Sequence, residues 1–160
     1  MTSIETEIKQ KTFRNEFQKA SLNLIYSANW LMTEHKIFFA QYGLTPQQYN
    51  VLRILRGSIG QALSTSDIRE RMVDKNSDSS RIVDKLHRIG LISRKVNQDD
   101  KRFVAVSIAK KGLELLTKID VKEQQLDDML SKLTHKQAQT LNQLLNKMRD
   151  LKKSQPTHKI

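Results

Sequence analysis

The run Asn76–Ile108, NSDSSRIVDKLHRIGLISRKVNQDDKRFVAVSI, decides the fold because two periodicities meet inside it. Up to Ile89 the apolar residues Ile82, Val83, Leu86 and Ile89 recur at steps of three and four, which puts them on one face of a helix. Asn76 or Ser77 is predicted to cap that helix and Gly90 to stop it. Beyond Gly90 the pattern changes. Leu91–Val96 and Phe103–Ile108 read as short strands, the second rich in β-branched and aromatic residues, and Asn97–Arg102 between them is a turn-forming run with four charges. A chain that otherwise reads as helix therefore builds one charged hairpin, directly behind a short helix.

With Ile82, Val83 and Leu86 turned inward, that helix presents Ser77, Asp78, Ser80, Arg81, Asp84, Lys85 and Arg88 outward, its small hydroxyls gathered at the N-terminal end. Short polar residues there let a helix end approach a groove closely. Serine hydroxyls and a helix N-terminus suit phosphate oxygens, and Arg81 is long enough to reach a guanine edge with two hydrogen bonds. A surface helix whose serines serve only as caps would carry the same residues, so the context decides. A short helix from about Ser64 precedes this one across a tight connection, which makes the pair a helix-turn-helix, and a hairpin placed immediately after it is a wing. A charged wing tip suits a phosphate backbone, and a protruding arginine suits the narrow, electronegative minor groove. The candidate DNA contacts are Ser77, Asp78, Ser80, Arg81 and Lys85 on the helix, Arg94 and Lys95 on the first strand, and Lys101 and Arg102 at the turn.

Outward from this run the same rules organise the chain. Leu44-Thr45-Pro46-Gln47-Gln48-Tyr49 reads as a helix start, with Thr45 as N-cap, Pro46 in the first turn, Gln48 closing a capping box and Leu44 able to staple onto Tyr49. Val51, Leu52, Ile54 and Leu55 continue that helix until Gly57 and Gly60. In the helix from Ser64, Asp67 forms a second capping pair, and Ile68, Met72 and Val73 are expected on the inner face. Before Gly43, the residues Phe17, Ala20, Leu24, Ala28, Leu31, Phe38 and Tyr42 step along one face of a long helix. After the hairpin, Leu113, Leu116, Ile119, Leu126, Met129, Leu130 and Leu133 continue a helical stripe. Thr134 with Gln137 then opens a last helix bearing Leu141, Leu144, Leu145, Met148 and Leu151, and the polar residues 152–160 are expected to be disordered.

Composition sets the class of partner. Lys and Arg outnumber Asp and Glu by 28 to 17, a net charge of +11, so a polyanion is expected to bind. Residues 45–112 carry 14 basic against 7 acidic side chains, which locates the excess on the helix-turn-helix and hairpin. The start MTSIETEIKQ lacks the basic and apolar regions of a signal peptide, and no apolar run exceeds four residues, so the expectation is a soluble cytoplasmic protein with no membrane partner. The chain has no cysteine, which excludes disulfides and thiolate chemistry. There is no glycine-rich phosphate loop, no His-Glu-x-x-His and no nucleophile elbow, and His35, His87, His135 and His158 are scattered without metal-ligand spacing. No catalytic residue, metal or cofactor is assigned, and the protein is not read as an enzyme.

The same residues resemble the MarR family of winged helix-turn-helix transcriptional regulators over roughly residues 15 to 150. Asp100-Lys101-Arg102, followed six residues later by Ile108 and then Lys110-Lys111-Gly112, is similar to that family's wing signature and the helix start after it. Arg81-Ile82-Val83-Asp84-Lys85-Leu86, ending in Gly90-Leu91-Ile92, resembles its recognition helix, and Leu44–Leu52 resembles the opening of its second helix. Two positions depart. Ala109 stands where the family usually has a capping threonine, for which Ser107 is the expected substitute, and Ser79 stands where a larger apolar residue is common. The absence of cysteine removes the peroxide-sensing branch.

The resemblance implies a mainly α fold with a small β-hairpin wing (α+β): a winged helix-turn-helix over 45–112, flanked by an N-terminal dimerisation helix region over 1–44 and C-terminal dimerisation helices over 113–151. The apolar stripes point the same way, being too long for one small core to cover, so a homodimer on a pseudo-palindromic operator in double-stranded DNA is expected. By resemblance, Arg102 either enters the minor groove or braces the wing against Asp100 or Asp84. Also by resemblance, a small aromatic or anionic effector is expected between the dimerisation and DNA-binding regions, with Trp30, His35, Phe38, Phe39, Tyr42 and Tyr49 as its candidate lining. The reading is a ligand-responsive repressor. A helical adaptor that binds a partner protein and no DNA is the alternative, separable by the salt dependence of DNA retention.

Overall fold

In the computed structural model, which describes residues 3–96 and 104–150, helices begin where the side chains can satisfy their own first amide groups. Thr45 Oγ1 accepts from the Gln48 amide at 3.2 Å while Gln48 Oε1 accepts from the Thr45 amide at 2.9 Å. The same reciprocal pair forms at Ser64 and Asp67 and at Thr134 and Gln137. All three expected capping boxes are therefore present.

The chain divides into two compact units, Met1–Glu123 and Gln124–Ile160. The first holds α1 (Ile4–Glu7), α2 (Glu16–Ala40), α3 (Pro46–Arg56), α4 (Thr65–Arg71), α5 (Ser79–Arg88), β1 (Ile92–Val96), β2 (Val104–Ile108) and α6 (Lys110–Asp120). The second holds α7 (Gln124–Asp128) and α8 (His135–Asp150). The fold is thus mainly α with one antiparallel hairpin, whose register runs from Ile92 opposite Ile108 to Val96 opposite Val104. Its core lies where α3, α4, α5, the hairpin and α6 converge, on Val51, Leu52, Ile68, Val83, Leu86, Val106, Leu116 and Ile119. The wing turn Asn97–Arg102, with the expected contacts Lys101 and Arg102 and the expected brace Asp100, lies outside the described residues, as do Leu151 and the tail 152–160.

Several local expectations are corrected. The cap of α5 is neither Asn76 nor Ser77 but Asp78, whose Oδ1 accepts from the Arg81 amide at 3.0 Å. Val73 is not on an inner face. Helix α4 ends at Arg71, Met72 turns extended with ψ 143°, and Val73 is left 86% exposed with its amide held by Asn50 Oδ1 at 3.0 Å. Ser107 does not cap α6, because its hydroxyl pairs with that of Ser93 across the hairpin at 2.8 Å, and Ala109 occupies the cap with no side-chain bond. The stripe begun at Leu113 is broken by a turn at residues 121–123. Two features had no counterpart in the sequence reading. Helix α1 seats Ile4 and ties itself down through Glu5 to Lys19 at 2.5 Å and the Tyr26 hydroxyl to Glu7 at 2.7 Å. Leu63 joins the hairpin by a two-way backbone bridge to Val106, at 3.0 and 2.8 Å.

The end of α5 and the start of α6 are fitted to each other by two glycines. Gly90 adopts φ +76°, which lets the chain leave α5 and enter β1 without the strain an L side chain would meet. At Gly112 the constraint is space: an added Cβ would overlap the Leu91 carbonyl oxygen and press on Ile108 Cγ1 at 3.0 Å. The first obstacle is backbone and cannot rotate away. Gly112→Ala should therefore cost about 1–3 kcal/mol, the usual range for overpacking, seen as a lower denaturant midpoint at an unchanged slope.

Candidate nucleic-acid interface

The connection between α4 and α5 is preformed by short-range hydrogen bonds. Asp74 accepts from the Ser77 hydroxyl at 2.7 Å and from the Asn76 amide at 3.0 Å, and these bonds, the Ser77 hydroxyl first, hold its carboxyl below the usual range. Arg69 Nε donates to the Lys75 carbonyl at 3.4 Å. Lys75 and Asn76 are left exposed beside the start of α5, where a phosphate backbone flanking the helix would pass. Neither was singled out as a contact from sequence. The available signal was a lysine in the connection of a helix-turn-helix.

Helix α5 buries Ser79, Val83 and Leu86 and leaves Ser80, Arg81, Asp84, Lys85 and Arg88 exposed, a row at steps of one and three along one face. Ile82 is half-buried. Of the residues expected on this surface, Ser80, Arg81 and Lys85 are unburied and form no side-chain bond among the described residues that would occupy them. Ser77 and Asp78 are committed to holding the helix start. Arg94 is also committed. It forms an ion pair with Asp84 and lies opposite the fully buried Val106, so its stem is turned toward the sheet face that packs on the core. Asp84 thus ties the first strand of the hairpin to α5 through Arg94, whereas the expected brace to Arg102 lies outside the described residues. Lys95, on the other face of β1, is exposed. His87 Nδ1 sits 3.3 Å from the Ile92 carbonyl and adds a second tie between α5 and β1.

The six candidate effector residues separate. Phe38, Phe39 and Tyr49 are buried, with Phe39 stacked on Tyr49 at 4.2 Å and edge-on to Phe38 at 5.1 Å, so they are core and not a lining. His35 meets Phe39 edge-on at 6.0 Å, and its partial burial lowers its pKa. Trp30 lies two turns earlier on α2 and is 42% exposed. Only Tyr42 opens onto the cleft of about 410 Å³ that the unit does contain, whose other walls include Leu44, Ile89, Leu91, Leu115, Lys111 and Lys118. Lys111 Nζ donates to the Ile89 carbonyl at 2.9 Å, at the C-terminal end of α5.

A model of the MarR family matches residues 42–102, the stretch from the end of α2 to the wing turn. Over that stretch the chain is similar to the MarR family. The HTH-type transcriptional regulator PapX of Escherichia coli is 29% identical over 98 residues, which are 61% of this chain and 60% of that protein. PrsX, from the same species, is 26% identical over 111 residues, 69% of this chain and 66% of that protein. The chain thus spans about 60–66% of the length of the curated relatives it matches. Among solved structures, a MarR-like transcription regulator from Bacillus cereus aligns with a TM-score of 0.75 at 22% identity, covering 84% of this chain and 96% of that one. A MarR transcription factor from Planctomyces limnophilus aligns at 0.66 with 28% identity, covering 86% and 98%. The MepR–DNA complex of S. aureus aligns at 0.72 with 20% identity, covering 81% and 96%, a likeness of fold. No described helix is long and apolar enough to cross a membrane.

The start of α5 depends on one cap. Asp78→Ala should lower stability by about 1 kcal/mol, while Asp78→Asn, which keeps an acceptor oxygen at the same place, should retain most of it. Thermal unfolding of the three proteins, followed by far-ultraviolet circular dichroism, measures the difference.

Proposed function

We propose that the protein is a DNA-binding transcription regulator that acts as a homodimer and reads a pseudo-palindromic operator with α5. The observation that carries this reading is the exposed row Ser80, Arg81, Lys85 and Arg88 on a helix held rigidly between a capped turn and a hairpin. Such a row has the size and polarity to enter a major groove, and Arg81 in the first turn has the reach for a guanine edge. The positive excess over residues 45–112 supplies the non-specific attraction to phosphates. The relatives named as HTH-type regulators, and a structural neighbour solved on DNA, support the same reading. Repression follows if the operator overlaps a promoter, in the cytoplasm where the DNA lies.

A ligand response fits the cleft beside Tyr42 better than it fits the buried aromatic cluster. The cleft combines Leu44, Leu91 and Leu115 with Lys111, Lys118 and Glu114, a mainly apolar lining with a net positive charge that suits a small aromatic or otherwise apolar anion. A ligand seated there would touch both the end of α5 and α6, and would compete with the bond from Lys111 to Ile89.

Selection from a random duplex pool should return two symmetric half-sites at a fixed spacing of about one helical turn. On that duplex, log affinity should fall with log salt at a slope of about −5 to −9. Arg81→Ala should cost about 1–3 kcal/mol and relax discrimination at one symmetric pair of base positions. A slope near zero, with no sequence enriched, would favour the helical adaptor. Sedimentation at micromolar concentration should give roughly twice the 18.6 kDa chain mass, and a monomer that still binds a palindrome tightly would exclude the dimer.

A further inference from the structure

We infer that the Asp84–Arg94 ion pair sets DNA specificity by withholding charge from the phosphate backbone. The inference deepens the DNA-binding reading above and rests on it. Asp84 is the one carboxylate within α5, and it sits on the outward face, a turn away from Ser80, Arg81 and Arg88. An acidic side chain among groups that must approach phosphates weakens binding to every duplex through repulsion, so affinity alone gives no reason for it. Its partner supplies one. Arg94 comes from β1, and the pair ties the wing's first strand to the recognition helix on its exposed side, in addition to the buried contacts of Val83 and Leu86 and the approach of His87 to the Ile92 carbonyl.

Two consequences follow from the geometry. The pair fixes where the wing stands relative to α5, so that the helix and the hairpin address the duplex in one register. It also keeps the Arg94 guanidinium from binding whichever phosphate it meets. Both effects favour the correct sequence over all others while lowering affinity for duplex DNA in general. The side chains are 52% and 28% exposed, so the pair lies near the surface and contributes little to folding. Its loss can then be read in DNA binding without unfolding the domain.

The test uses the full chain, the duplex that the wild type selects from a random pool, and an unrelated duplex of the same length. Asp84→Asn should bind the unrelated duplex more tightly than the wild type does, with a salt slope more negative by about 0.9 per protomer if the freed Arg94 gains one phosphate. The ratio of selected to unrelated affinity should fall about tenfold, the scale of one lost base contact. Arg94→Ala should do the opposite on the unrelated duplex, weakening it, because Asp84 is then left facing phosphates alone. Exchanging the pair, Asp84→Arg with Arg94→Asp, should restore much of the ratio. A purely structural brace would weaken every duplex in both single variants, and that result overturns the inference, as does an Asp84→Asn protein with unchanged slope and ratio. If the wild type itself enriches no duplex, the DNA-binding reading falls and this inference falls with it.

Discussion

The Leu91 carbonyl is the point at which the recognition helix, the wing and α6 are locked together. It accepts from the Ala109 amide at 3.1 Å, closing the base of the hairpin, and the bare backbone of Gly112 lies against it. Leu91 is itself placed by its amide bond to the Leu86 carbonyl at 3.0 Å as α5 ends. Leu91 therefore joins the last turn of α5, the residue that follows β2 and the first turn of α6. Only glycine at 112 allows the approach, so the angle between hairpin and helix is set by backbone contact. Side-chain packing adjusts over tenths of an ångström, whereas backbone contact of this kind either forms or does not.

On that frame the charges are arranged at a second level. The row on α5 is basic at 81, 85 and 88 and acidic only at 84, and the acid is matched by a base from the neighbouring strand. A similar pairing holds the other end of the unit, where Arg56 on α3 meets Asp120 at the end of α6 at 2.6 Å. That ion pair, rather than a neutral contact, raises the Arg56 pKa and keeps the guanidinium charged beside the neutral phenol of Tyr49, whose own pKa is pushed up by burial. Each pair joins two different elements, α5 to β1 and α3 to α6.

What was legible from sequence was local. The capping boxes at Thr45, Ser64 and Thr134 each depend on residues three apart, and the glycine stop and the strand pattern after Gly90 depend on immediate neighbours. The cap of α5 was missed by one or two residues because Asn76, Ser77 and Asp78 are all competent caps in a row. Asp74 decided between them by taking the Asn76 amide and the Ser77 hydroxyl for the turn. Val73 was misplaced because helical periodicity was extended past a chain that had already left the helix at Met72. The bridge from Leu63 to Val106 involves a single residue and carries no pattern at all. The pairing of Arg94 with Asp84 spans helix and strand, and an arginine next to Lys95 reads the same whether it faces solvent or its own chain. The aromatic residues near 38 to 49 were ambiguous for a related reason, since core and ligand lining draw on the same residue types.

The long helix α2 poses the remaining physical requirement. At 100° per residue, Phe17, Leu24, Ile25 and Met32 fall on one side, while Tyr26, Trp30 and Ile37 fall on roughly the opposite one. All seven are exposed in the single chain, Phe17 at 86% and Ile37 at 60%, and only the C-terminal end of the helix, at Phe38 and Phe39, is buried. A helix that is apolar on one side can be satisfied by docking on one neighbour. One that is apolar on both must be enclosed. The proposed homodimer therefore has to cover α2 from two directions, which a simple face-to-face contact between two copies of α2 would not do. An interleaved arrangement, in which other apolar helices from both copies surround α2, meets the requirement. Helix α8, in the other unit, is uncovered in the single chain as well, with Leu141, Leu144 and Met148 exposed along it and no buried residue of its own. Enclosure of that kind would make the proposed dimer a condition of folding for α2.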